Sequence, residues 1–171
     1  EIIFKNTHQF GTVGEPSLPY RGIKLLLPEG TEAKSIKITP QFKTKIKGEF
    51  LIRPVQEPKP ISEITNNDPL IVSDIYSKDI NYPFNQNLKL QTHFLSGFSI
   101  GFTAITPLQY NPAQQQLSYF KELTIEIETT TSNQAQQATR FLHNSDYIVN
   151  KIYKNIDNPS DISNYNLPAQ K

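Results

Sequence analysis

The 171-residue chain carries 17 Lys and Arg against 16 Asp and Glu, with no Cys and a mean hydropathy of -0.48. Near-neutrality leaves no global field to gather nucleic acid or an acidic membrane, and without Cys there is no disulfide, thiolate metal site or cysteine nucleophile. No apolar run approaches the roughly 20 residues of a membrane-spanning helix, so membrane insertion is not expected. The length suits one domain, and 36% hydrophobic residues, among them 10 Phe and 8 Tyr, suffice for a core. The chain starts at Glu1 with no basic n-region and apolar h-region after it. The expectation is a segment of a longer exported protein whose signal peptide has been removed.

Taken in chain order, Ile23 to Leu27 reads as a short, more fully apolar strand that ends at the turn Pro28-Glu29-Gly30. Period-two alternation follows at Ile36/Ile38 and Phe42/Ile46. Lys43, Lys45 and Lys47 share one face of that strand, which reads as a solvated face or a guarded sheet edge. After Gly48, Phe50 to Ile52 predicts another short apolar strand. The stretch Pro54 to Pro69 then changes character, with prolines at 54, 58, 60 and 69. Prolines remove ladder donors and favour extended backbone, so this is a long surface loop, and loops of that length are usually functional or disordered.

Alternation resumes at Leu88/Leu90/Thr92/Phe94, turns at Ser96-Gly97, and continues at Phe98/Ile100/Phe102/Ala104. Pro107 and Pro112 bracket a connection with a turn at Asn111-Pro112. Next come Leu117, Tyr119, Leu123, Ile125 and Ile127, opposed by Glu122, Thr124, Glu126 and Glu128, a half-buried strand. The aromatics Phe98, Phe102 and Tyr119 fall at strand spacing and read as core. Thr129 to Gln137 is polar and reads as a linker. Ser145 is a helix N-cap, with Asp146 in the first turn and Ile148, Ile152, Tyr153 and Ile156 on one side. Beyond Asp157 there is no periodicity, which predicts an exposed tail.

Short strands at this density without intervening helices predict an all-β fold, an antiparallel β-sandwich or jelly-roll-like arrangement with one short C-terminal helix and an extended tail. The expected division is a β-sandwich core over residues 1–130, with linker, helix and tail over 131–171.

The sequence offers little chemistry. His8, His93 and His143 have no partner at metal-ligand spacing, and Ser, His and Asp occur without a nucleophile elbow. Asp157-Asn158-Pro159-Ser160-Asp161 fails as a calcium loop, because Ile162 and Pro168 stand where Gly and a bidentate Glu are required. Gly11 and Gly14 lack the spacing of a phosphate-cradling loop. No catalytic residue, metal or cofactor is expected. From the residues alone the chain is a β-rich binding or regulatory module.

Three passages resemble the propeptide domain of the gingipain family of secreted cysteine peptidases. The first is Gly14-Glu15-Pro16-Ser17-Leu18-Pro19, followed by the strand Ile23 to Leu27 and Pro28-Glu29-Gly30. The second is Leu51-Ile52-Arg53-Pro54. The third is Thr106-Pro107-Leu108-Gln109-Tyr110-Asn111-Pro112, with Leu117-Ser118-Tyr119 and the strand to Glu128 behind it. Their order and spacing agree with the family over residues 11 to 130.

The resemblance implies a non-enzymatic intramolecular chaperone and inhibitor of an exported bacterial zymogen. Its partner would be the cognate gingipain-like catalytic domain, and alone it would be a monomer. In that family a loop places a basic side chain in the acidic specificity pocket, and Pro54 to Pro69 is the corresponding segment. The implied inhibitory loop is Lys59, Pro60, Ile61, Ser62 and Glu63. Here the chain departs from the pattern, since Ile61 to Glu63, where the basic residue is expected, holds none, and Lys59 is the nearest candidate. Arg53 reads as structural. Lys171 is the implied processing point for a basic-specific peptidase, the alternative being an end without processing meaning. The second reading keeps the fold but makes it a non-inhibitory binding or adhesion module, or the N-terminal domain of a gingipain-like secretion-system peptidase. A free-standing hydrolase has no supporting feature.

Overall fold

The computed structural model describes residues 7–60 and 69–169. Among these residues seven strands run β1 (His8–Phe10), β2 (Leu18–Leu26), β3 (Thr31–Lys45), β4 (Gln91–Leu95), β5 (Phe98–Ile105), β6 (Leu108–Asn111) and β7 (Gln116–Thr131). They form one sheet in the order β1-β2-β5-β4 and another in the order β3-β7-β6. The fold is all-β and mostly antiparallel, as the alternation predicts. Among the described residues helices are few and short: α1 (Asn133–Thr139), α2 (Asp146–Tyr153) and two 3-10 turns, Asp74–Ser77 and Pro159–Asn164. Two compact units interleave along the chain. One takes the described residues of 1–21, 40–86 and 106–124, the other those of 22–39, 87–105 and 125–171.

In the first unit the turn predicted at Asn111-Pro112 closes the hairpin of β6 and β7, registered Leu108 to Tyr119 and Asn111 to Gln116. The bracketed connection is therefore itself a strand. Pro16, Leu18, Leu108, Tyr110 and Leu117 are fully buried there. The strand predicted at Phe50 to Ile52 does not form. Its backbone is satisfied by other means, with the Phe50 amide donating to Gln115 O at 2.8 Å. The Tyr110 and Tyr76 hydroxyls donate to Phe50 O and Ile52 O, each at 2.7 Å. With its carbonyls taken by phenols, the segment needs no ladder partner, and Leu51 stands 82% exposed. Phe42 does not share an apolar face with Ile46 as its spacing predicts, because its φ of 54° breaks the alternation and leaves the ring exposed.

In the second unit β4 and β5 form a hairpin pairing Leu95 with Phe98. Phe98 and Ile100 are buried with Leu26, Ile152, Ile156, Ile162 and Tyr165. Phe102 does not join them: it is exposed and meets His93 edge to face at 6.2 Å.

The C-terminal stretch corrects two expectations. The polar linker predicted from Thr129 is the end of β7 followed by α1, because the Ser132 hydroxyl accepts from the Ala135 amide and caps a helix there. The predicted helix forms as α2, capped by Ser145 through the Ile148 amide, with Ile152 buried but Tyr153 exposed. The predicted exposed tail is the larger departure, because it is docked. Asp157 and Lys24 exchange two hydrogen bonds, the Asp157 amide to Lys24 O at 2.7 Å and the Lys24 amide to the Asp157 carboxylate at 2.9 Å. The Asn158 side chain receives the Leu26 amide at 2.7 Å and donates back to Leu26 O at 2.9 Å. The Tyr165 hydroxyl donates to Leu27 O at 2.7 Å and accepts from the Ser99 amide at 3.1 Å. The bonds to Lys24 and Leu26 satisfy main-chain groups that a bare β2 edge would leave to solvent.

Candidate functional site: the proline-rich loop and its anchor

The sequence-predicted site is the loop from Pro54, which springs from the first unit. Its two stems converge on one glycine. The Gly14 amide donates to Val55 O at 2.8 Å, and Gly14 O accepts from the Ser73 amide at 2.9 Å. Gly14 adopts φ +86°, which favours glycine, and the space is tight, since a Cβ there would lie 3.1 Å from Ser73 N. Two further bonds fasten the incoming stem: Ser17 N to Arg53 O at 3.0 Å and Val55 N to Glu15 O at 2.9 Å. Isolated bridges join Val13 to Val55 and Pro16 to Pro54. The Gly14–Pro19 passage is thus the seat of the loop.

One residue further out, the Gln56 side chain spans the base. Its Oε1 accepts from the Ile71 amide and its Nε2 donates to Ile71 O, both at 2.9 Å. The amide stands in for a strand residue where proline-rich backbone offers no ladder. Glu57, Pro58, Lys59 and Pro60 follow, all exposed and outside regular structure. Of the five predicted loop residues, Lys59 and Pro60 are thus at the surface, whereas Ile61, Ser62 and Glu63, like Lys171, lie outside the described residues.

Beside the incoming stem is a groove of about 540 Å³ lined by Leu18, Pro19, Phe50, Leu51, Ile52 and Arg53, among others. On the returning stem Leu70, Ile71 and Val72 are 61%, 44% and 49% exposed. Leu51, on the chain leading into the incoming stem, is likewise exposed. Arg53, expected to be structural, holds its place through its backbone carbonyl while its side chain is exposed.

Under the seat lies a cluster of phenols. The Tyr82 hydroxyl donates to the Glu15 carboxylate at 3.1 Å, and the Tyr82 and Tyr110 backbones exchange bonds of 2.8 and 2.7 Å. Burial pushes Tyr20 and Tyr76 up to about 12 and raises Tyr82 and Tyr110 as well. These groups stay protonated donors at any physiological pH and are structural rather than reactive. His8, His93 and His143 are exposed and scattered. Among the described residues no three His, Cys, Asp or Glu side chains converge as metal ligands, and no helix is long and apolar enough to cross a membrane.

Sequence reasoning finds the loop but not its fasteners. Gly14 is legible only as part of a turn, and nothing near Gln56 announces that its partner lies fifteen residues on.

The profile of the Propeptide_C25 family matches residues 1–158. Two solved structures share the fold. One is a complex of Porphyromonas gingivalis RgpB pro- and mature domains, with 20% identity, a TM-score of 0.64, and coverage of 92% of this chain and 78% of that one. The other is from a study of the zymogenic latency of gingipain K from the same organism, with 18% identity, a TM-score of 0.54, and coverage of 74% and 72%. No curated protein matches the chain.

Proposed function

Because the chain belongs to the Propeptide_C25 family, we propose that it holds a gingipain-like cysteine peptidase latent, and assists its folding, by laying the proline-rich loop across the active-site cleft. The domain is the non-catalytic part of that zymogen. Its partner is the cognate catalytic domain, and the pair works outside the cytoplasm of a bacterium.

The observation that carries this reading is the tethering of both loop stems to Gly14, with Gln56 closing the base and Lys59 exposed beyond it. An inhibitor must present an extended segment without losing much entropy when it docks, and a loop fixed at its stems and stiffened by Pro58 and Pro60 does so. Lys59 is the side chain we assign to the specificity pocket. The exposed apolar side chains of Leu51, Leu70, Ile71 and Val72 supply part of the roughly 1,600 Å² that protease–inhibitor pairs bury.

The test is inhibition of the separately produced catalytic domain by this domain at increasing concentration. Slow, saturable inhibition that Lys59→Ala weakens supports the reading, and the variant should lose about 2 kcal/mol or more of binding. The absence of a basic residue at Ile61 to Glu63 favours one alternative, a non-inhibitory binding module on the same fold. Binding to the catalytic domain without inhibition would select it.

A further inference from the structure

The bonds that fasten the chain before the loop form a short antiparallel ladder. The Val55 amide donates to Glu15 O, the Ser17 amide donates to Arg53 O, and Pro16 faces Pro54 between them. Continued by one rung, this register sets Pro19 against Leu51. Pro19 has no N–H, so the Leu51 carbonyl finds no donor there and the ladder stops. At that rung a groove of about 540 Å³ opens, lined by Leu18 and Pro19, by Leu51 and Ile52, and by Leu108. The missing rung leaves main-chain groups over. Phe50 and Ile52 are bonded elsewhere, through the Phe50 amide to Gln115 O and through the Tyr110 and Tyr76 hydroxyls to Phe50 O and Ile52 O. Among the described residues, however, the Leu51 amide, the Leu51 carbonyl and the Arg53 amide have no hydrogen-bond partner. The exposed Arg53 guanidinium likewise has no acidic partner among them.

A donor and an acceptor on one residue, with a second donor two residues on, are what an open sheet edge offers to an added strand. Resting on the reading of the domain as a propeptide bound to its catalytic domain, but not on Lys59 or the course of the loop, we propose that an extended segment of that catalytic domain adds to the Leu51–Arg53 edge as a strand. Its main chain pairs with the Leu51 amide and carbonyl and with the Arg53 amide. One of its apolar side chains enters the groove over Leu18 and Leu108, and one of its carboxylates meets Arg53. In strand addition the main-chain bonds give affinity, while pockets for the alternate side chains choose the segment. The side chain of Leu51, 82% exposed, is then covered by the same partner. Two observations make the catalytic domain the occupant. The ladder that stops at Leu51 fastens the stem of the loop one rung away, at Arg53, so a partner engaged by the loop is in reach of this edge. The guanidinium calls for a carboxylate that the described part of this chain does not bring to it.

The experiment follows amide hydrogen exchange residue by residue, in the domain alone and saturated with the separately produced catalytic domain. Alone, the Leu51 and Arg53 amides should exchange freely, while the bonded Gly14 and Phe50 amides exchange slowly. In the complex the Leu51 and Arg53 amides should become protected. Binding of two variants is measured beside it. Arg53→Glu, which sets like charge against the partner's carboxylate, should weaken the complex roughly tenfold or more. Leu51→Ala should weaken it in the same direction. Both side chains are exposed, so both variants should melt with wild type, and lost binding cannot be ascribed to unfolding. A complex in which the Leu51 and Arg53 amides exchange as fast as in the free domain overturns the proposal, as does an Arg53→Glu domain that binds as tightly as wild type. Protection that appears in the domain alone at high concentration, with a doubled mass, gives the edge to a second copy and overturns it too. Failure of the underlying reading looks different: wild type and both variants alike then form no complex at any concentration, and the proposal falls with it.

Discussion

Gln56 and Ile71 exchange two hydrogen bonds of 2.9 Å across the base of the loop, one side-chain amide serving as both donor and acceptor to the main chain of one residue. The chain leaves and returns through that pair, whose members are fifteen positions apart. Replacing Gln56 by Ala removes both bonds. Because the site is exposed, water replaces them at a net cost of about 1 kcal/mol. Global stability should therefore change little, while the loop should be nicked faster by an unrelated Lys-specific endopeptidase acting at Lys59 when Pro60 is also replaced by Ala. Equal nicking of the Pro60→Ala single variant and the double variant would show that the amide does not restrain the loop.

Asn158 plays the same part in the second unit, where its amide pairs in both directions with Leu26 and its Nδ2 also reaches the Asp161 carboxylate at 2.6 Å. Asn158→Ala should cost about 2 kcal/mol, because it leaves two partly buried main-chain groups unpaired. For a chain of this size that lowers the melting temperature by roughly 4–8 °C. Asn158→Asp should cost more, since the second oxygen meets Leu26 O and the Asp161 carboxylate as an acceptor with no proton to give. Thermal denaturation of the two variants beside wild type gives the ranking, and an Asp variant as stable as wild type would contradict it.

These amide pairings also mark what the sequence conceals. The alternation from Leu117 to Ile127 announces β7, and Ser145 followed by Asp146 announces α2, because strand and helix signals are written within a few residues of themselves. The docked tail has no such signal. Ile162 and Tyr165 are buried in the cluster with Leu26 and Phe98, the Tyr165 hydroxyl meeting Leu27 O 138 residues earlier, and no local pattern encodes that meeting. Phe50 to Ile52 fails as a strand for a related reason, its carbonyls being claimed by tyrosines 60 and 24 residues away. At the candidate site the prolines give away the loop, Pro54 to Pro69, while Gly14 and Gln56, which fasten it, act through partners that only the fold supplies.

Gly97 turns the chain between β4 and β5 at φ +88°, and a Cβ placed on it would lie 2.5 Å from Leu142 N and 2.7 Å from Leu142 Cα. Both atoms are backbone, so neither can rotate away. Gly97→Ala combines a left-handed backbone penalty of about 1–2 kcal/mol with an overpacking penalty of about 1–3 kcal/mol. A loss of about 3 kcal/mol is expected in urea denaturation. Gly22, where the nearest atom to an added Cβ is a Phe102 ring carbon at 3.9 Å, is the control and should tolerate Ala at much smaller cost.

The buried phenols set an alkaline limit. Burial is the first cause holding Tyr20 and Tyr76 at about 12, and it raises Tyr82, Tyr110 and Tyr165 in the same direction. A phenol is neutral when protonated, so a folded state that raises its pKa keeps a proton that the unfolded chain releases near about pH 10. The stabilisation is complete below about pH 10 and is lost as the pH climbs through about 12. Phenolate absorbance and circular dichroism, followed together from neutral to alkaline pH, should show the buried tyrosines ionising only as the fold is lost. Tyr20→Phe removes one such group and should make the alkaline loss shallower. If all eight tyrosines ionised together near about pH 10 with the circular dichroism unchanged, the phenols would be in water and the packing beneath the loop's seat would have to be redrawn.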